Sequence, residues 1–199
     1  MSSEQMNSDY GSILLPIARA SIAEPLGEVR ATAEQAPWLQ LPGACFVTLT
    51  QNDELRGCIG SLEAHRPLLL DVKANAYAAA FRDPRFKPLI AAELGRTEVE
   101  ISLLSEMQPL EFASEQEALA KLQPGIHGVV FEYGQYRSTF LPQVWDQLPK
   151  VTDFMGHLKS KAGLSPSFWA KEVKLSLYSV SKWKESELTA NTVTTNVTS

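Results

Sequence analysis

Leu55-Arg-Gly-Cys-Ile-Gly60 lies one short turn after Ala44-Cys-Phe-Val-Thr-Leu-Thr50, and the reading of this pair decides the fold. Residues 44–50 are rich in β-branched and aromatic side chains, which predicts a strand. Gln51-Asn-Asp-Glu54 is turn-forming, and Leu55–Leu62 reads as the return strand, so a hairpin spans residues 44–62, in the first third of the chain. The return strand carries unusual chemistry. Arg56 can grip a carboxylate or phosphate with its fork of donors. Gly57 and Gly60 let another segment or a ligand come close to the backbone. Cys58, between them, is a candidate nucleophile if nearby cations favour its thiolate; otherwise it is a small hydrophobe in a buried strand. A four-residue loop would put Cys45 and Cys58 on one face of the hairpin, and a three-residue loop would put them on opposite faces.

The rest of the chain bounds what surrounds this hairpin. Its 199 residues suffice for one large domain or a domain with a small subdomain. The composition, 44% hydrophobic and 21% charged, is that of an ordinary globular protein. A net charge of -5 without a Lys/Arg run argues against a nucleic-acid footprint or a polybasic membrane patch. No apolar run approaches the ~20 residues that span a bilayer, and the polar N-terminus does not read as a signal peptide. A cytoplasmic location is therefore expected. The two cysteines form no Cys-x-x-Cys, so neither a zinc ribbon nor a finger is expected, and both should be thiols. No metal and no cofactor is indicated.

Before the hairpin, residues 1–9 read as a disordered tail. Leu14, Ile17, Ala18, Ser21 and Ile22 then recur at helical spacing from about Tyr10 to Glu24, with Pro25 and Gly27 as the stop. Residues 28–42 read as a surface connection with Trp38 as a packing anchor. After the hairpin, Pro67 opens a helix that runs through Ala78–Ala80 to about Arg82. Asp83-Pro-Arg-Phe-Lys-Pro-Leu89 is a rigid extended turn. A short helical turn over Ile90–Leu94 and a strand through Val99, Ile101 and Leu103 follow.

Ser114-Glu-Gln-Glu117 is a capping box that opens another helix. Strands are expected at Gly125–Tyr133 and Tyr136–Leu141, then a helical segment from Pro142. A helix capped by Thr152 follows, with Phe154, Met155 and Leu158 as its apolar stripe. One final strand runs from Val173 to about Trp183. Residues 185–199 read as a floppy tail, whose Asn196-Val-Thr198 sequon has no secretory context. The mixed order of strands and helices makes the class α+β.

Five ordered segments resemble the AMMECR-type domain family. They are Leu55-Arg-Gly-Cys-Ile-Gly60, Ala80-Phe-Arg-Asp-Pro-Arg-Phe-Lys-Pro-Leu89, Val99-Glu-Ile-Ser-Leu-Leu104, Gly125-Ile-His-Gly128 and Thr139-Phe-Leu-Pro-Gln-Val-Trp145. The resemblance covers about residues 10–183 and implies a single domain of two lobes. It implies a mixed, largely antiparallel, barrel-like sheet with flanking helices. It supplies no settled activity. It does imply partners, because bacterial members, called AmmeMemoRadiSam system protein A, are fused to or encoded beside a Memo-type protein and a radical S-adenosylmethionine protein.

On this basis a candidate site is expected at the lobe junction. Cys58 would be the thiolate and His127 the proton acceptor. Arg56, Gly57, Gly60, Asp83 and Arg85 would bind an anionic group, the arginines also lowering the thiol pKa. Relatives also carry Asp at position 127, so a base or a turn residue fits there without an obligatory imidazole. The competing expectation is a non-catalytic module whose glycines and cations dock a peptide or an anion for its partners, with Cys58 as packing. Taken singly, Asp83 before Pro84 is a turn former, Arg85 pairs with it, and His127 is a turn residue.

Overall fold

The structure, a computed structural model, describes residues 3–188, with side chains from Tyr10 onward. The chain runs α1 (Ser3–Ala23), β1 (Cys45–Gln51), β2 (Glu54–Gly60), α2 (Leu68–Phe81), α3 (Ala91–Leu94), β3 (Glu98–Leu104) and β4 (Gln108–Pro109). It continues with α4 (Glu115–Lys121), β5 (Gly128–Tyr133), β6 (Tyr136–Phe140), α5 (Val151–Lys161), β7 (Lys174–Tyr178) and β8 (Val180–Lys184). Single 3-10 turns lie at Glu24–Leu26, Pro37–Gln40 and Pro142–Asp146. This is an α+β fold. Among the described residues its strands form two four-stranded sheets rather than the expected barrel-like one.

Two compact units result among the described residues, 3–104 with 181–188, and 105–180. In the first unit the strand order is β2-β1-β3-β8. Cys45, Val47, Leu49, Val99 and Ile101 alternate onto one face and meet Leu14, Ile17, Ala18 and Ile22 of α1 and Val72, Ala76 and Ala79 of α2. The period of two along the strands and of about 3.6 along the helices makes this core continuous. In the second unit the order is β4-β7-β5-β6. Val129, Phe131 and Leu175 pack on Phe154, Met155 and Leu158 of α5, and Trp145 stacks on Phe154 at 3.6 Å between ring centroids.

Several expectations change in detail. The hairpin turn is only Asn52-Asp53, both with positive φ (52° and 64°), the two-residue geometry whose twist suits paired strands. A bulge then intervenes: Thr50 pairs with Leu55 and Leu49 with Gly57, leaving Arg56 as the extra residue. The bulge restores the register of a three-residue loop, so Thr48 faces Cys58. Cys45 and Cys58 therefore lie on opposite faces of the sheet.

The expected last strand is two strands, β7 in the second sheet and β8 in the first. They break at Ser179, whose N–H and C=O bond to Ser105. Helix α5 starts two residues earlier than a Thr152 cap requires, with Lys150 at the cap position, because the Phe154 N–H already reaches the Lys150 carbonyl. Trp38 is an anchor, stacked on Tyr10 at 4.1 Å, but Leu39 of the same connection is fully buried. Helix α1 begins at Ser3, within the expected tail. Glu185, placed by sequence in the other tail, accepts hydrogen bonds from Arg19 of α1 and from the Val99 N–H of β3. Residues 189–199, including the sequon, lie outside the described residues.

Candidate functional site

β2 is an edge strand, and Cys58 is where its edge meets the Asp83–Leu89 turn. Cys58 stands opposite Thr48 with its N–H and C=O directed away from β1. The Cys58 N–H donates to Asp83 Oδ2 at 2.9 Å, and Arg85 Nη2 donates to the Cys58 carbonyl at 3.1 Å. Arg85 also grips Asp83 with two donors, Nε to Oδ1 at 2.9 Å and Nη2 to Oδ2 at 2.7 Å. The Arg85 N–H closes a turn back onto Asp83 Oδ1. Asp83 is thus a turn former, as its sequence context suggests, and also the anchor that fixes the nucleophile candidate's backbone.

The Cys58 side chain is half-buried and accepts a hydrogen bond from Thr48 Oγ1 at 3.4 Å. It projects from the face of the sheet opposite α1 and α2, which Val47 and Leu49 cover. Arg56 does not join it. The bulge aims its guanidinium at Glu93 of α3, with Nε to Oε1 at 3.3 Å and Nη2 to Oε2 at 3.1 Å, and over the Phe86 ring. Gln51, whose position along β1 matches that of Val47 and Leu49, contacts the same carboxylate. Arg56 and Cys58 therefore work on different sides of the sheet. The buried Nη1 of Arg56 has no hydrogen-bond partner.

The glycines have packing reasons. A Cβ on Gly57 would stand 2.2 Å from the Ala79 carbonyl oxygen of α2, and one on Gly60 would strike the Phe46 ring and the Cys45 carbonyl. His127 belongs to the second unit. Its Nδ1 accepts the Gln123 N–H, and its carbonyl accepts the Trp145 indole N–H at 2.7 Å. Of the expected set, then, Cys58, Asp83 and Arg85 are brought into direct contact. Sequence reasoning did not single out Thr48 or Glu93. Strand alternation marks Thr48 as facing away from the core, but the pairing register was needed to place it beside Cys58; nothing local marks Glu93.

Charge settles accordingly. The Arg85 guanidinium and two N–H donors hold the Asp83 carboxyl far below the usual carboxylate range, and Asp83 in turn raises Arg85. Asp83 adds stability that is in place above the free carboxylate's pKa of about 4 and is lost as acid protonates it below that value. Asp83→Ala should cost about 3 kcal/mol at neutral pH, tempered because Arg85 is half-exposed and can rehydrate. Urea titrations from pH 7 to 3 should show a shallower acid-side loss in the variant than in the parent.

Burial lowers the His127 imidazole, and an Nδ1 that accepts a hydrogen bond needs the neutral ring. Its contribution is therefore complete above the free value of about 6.5 and is lost as the pH falls through the lowered one. NMR titration of the ring should show the Nε2–H tautomer at pH 7 and a midpoint below the free imidazole value of about 6.5.

The class these features define is a two-unit α+β protein with a clasped edge-strand cysteine. Comparison with known proteins places it further. Residues 15–183 match the AMMECR1 family, and the chain belongs to it. It is 36% identical to Protein MJ0810 of Methanocaldococcus jannaschii over 188 residues, covering 90% of this chain and 92% of that one. A protein of Aeropyrum pernix is 35% identical, covering 92% of this chain and 82% of that one. The crystal structure of the uncharacterized protein PH0010 from Pyrococcus horikoshii is similar with a TM-score of 0.73 at 29% identity, covering 89% and 92% of the two chains. Among the described residues, no helix is long and apolar enough to cross a membrane.

Proposed function

We propose that the protein works through Cys58, as a thiol-dependent enzyme or accessory factor acting on an anionic substrate. The observation that carries this reading is the double clasp on the cysteine's own backbone, Asp83 on its N–H and Arg85 on its carbonyl. Together with the Thr48 hydroxyl on Sγ, the clasp fixes one thiol on the side of the sheet away from the helices. Pre-positioning of this kind lowers the cost of bringing a nucleophile to its target. Arg85, half-exposed beside the thiol, would meet the substrate's charge through Nη1, the atom its bonds to Asp83 and Cys58 do not use. The resemblance to bacterial members supports a pathway shared with a Memo-type and a radical S-adenosylmethionine protein. Co-purification with those neighbours from the native host is the expected result.

A specific observation favours the second reading, a non-catalytic module. Both candidate cations are already paired with carboxylates, Arg56 with Glu93 and Arg85 with Asp83. Alkylation by iodoacetamide at pH 6.5 separates the two readings, and Cys45 serves as an internal control. Cys45 is fully buried, and burial followed by the nearby Asp71 charge pushes its thiol well up. One alkylation per chain, at Cys58 and at least tenfold faster than N-acetylcysteine, supports the enzyme. A rate at or below that of the free thiol sinks it, and the module then stands if Arg85→Ala abolishes binding to the partner proteins.

A further inference from the structure

We infer that the Asp83–Arg85 pair is an edge guard, which keeps β2 from pairing with the β2 of a second copy of this chain. This inference does not depend on Cys58 being reactive. A sheet edge presents unpaired N–H and C=O groups, a template for strand addition unless something occupies them. β2 is such an edge, and at Cys58 both outward groups are occupied by side chains, the carboxylate as acceptor and the guanidinium as donor. One ion pair thus reproduces what a neighbouring strand would supply. Pro84 and Pro88, in the segment that carries the pair, have no N–H to extend a ladder themselves.

The second copy is the partner that fits this edge. In an antiparallel ladder, residues of a hydrogen-bonded pair exchange both bonds. A residue with its N–H and C=O on the same free edge can therefore pair with its own symmetry mate about a two-fold axis, which is the commonest closed symmetry of oligomers. Cys58 is such a residue. The flanking Leu55 is exposed and apolar, and of the strand's two charged side chains, Glu54 and Arg56, the second is already held by Glu93.

The test compares the full-length parent with Asp83→Ala/Arg85→Ala and with Asp83→Asn, which keeps an acceptor for the Cys58 N–H. Sedimentation velocity across a hundredfold concentration range should show the double variant associating at least tenfold more tightly than the parent, with Asp83→Asn close to the parent. Hydrogen exchange should show amides of residues 54–60 becoming protected in the double variant as concentration rises. A folded double variant that sediments like the parent at every concentration overturns the inference. So does association without protection at 54–60. If the double variant does not fold, Arg85→Ala carries the test, since it removes a half-exposed side chain and frees the Cys58 carbonyl alone. Association of that variant above the parent, with protection at 54–60, supports the guard, and parental behaviour overturns it.

Discussion

Replacing Asp71 by Ala is expected to cost about 4 kcal/mol, because the loss leaves several buried donors without an acceptor at once. Asp71 is 1% exposed on α2. Its Oδ2 accepts the Cys45 N–H and the Asn75 amide, each at 2.9 Å, and its Oδ1 accepts the Ser61 hydroxyl at 2.6 Å and Arg66 Nε at 2.9 Å. Asn75 in turn donates to the Cys45 carbonyl and to Ser61 Oγ. One carboxylate therefore ties the start of β1 and the chain just past β2 to α2. Arg66 is part-exposed and can turn to water, but the Cys45 N–H and the Asn75 amide are buried and cannot. Asp71→Asn should cost about half as much, since it keeps one acceptor oxygen and turns the other into a donor facing donors. Chemical denaturation checks both values. Faster hydrogen exchange at Cys45 in Asp71→Ala, with β5 unchanged, would place the loss in the first unit.

Gly57→Ala is the second large effect, about 3 kcal/mol, from overpacking that rotamer changes cannot relieve. The added Cβ would lie 2.2 Å from the Ala79 carbonyl oxygen and 3.1 Å from its carbon. Both are main-chain atoms of α2, so either the helix or the edge strand must move. The diagnostic comparison is the double variant Gly57→Ala/Ala79→Gly. Because the obstacle is backbone, removing the Ala79 methyl should restore no stability; recovery in a denaturant melt would show that the contact is side-chain packing after all. Displacement of β2 should also loosen the clasp on Cys58, so the Cys58 amide should exchange faster in the single variant.

The expected site and the observed one differ for reasons that particular residues make clear. Cys58, Asp83 and Arg85 stood out in the sequence because an Asp-Pro-Arg turn and a Gly-flanked cysteine are locally distinctive. That they touch could not be read, since 25 residues separate the Cys58 N–H from its acceptor. Arg56 stood out equally, yet its fork went to Glu93 because a one-residue bulge turned it toward the helix side. A bulge changes pairing without changing composition, so period-two reasoning passes over it. The Val173–Trp183 run reads as one strand because Val173, Leu175 and Leu177 set its period, but that period slips at Tyr178-Ser179, where the bonds to Ser105 divide the run between two sheets.

What the sequence by itself determined is the α+β class, most of the helices and strands, the hairpin and the family. These rest on local terms, namely hydrophobic period, turn chemistry and ordered motifs. What only the tertiary structure decided is which groups neutralise one another: Arg56 with Glu93, Arg85 with Asp83, and Asp71 with four donors. The physical reason is that a charge or an edge amide is satisfied by whatever lies within about 3 Å of it, and over tens of residues that neighbour is fixed by strand register and helix docking.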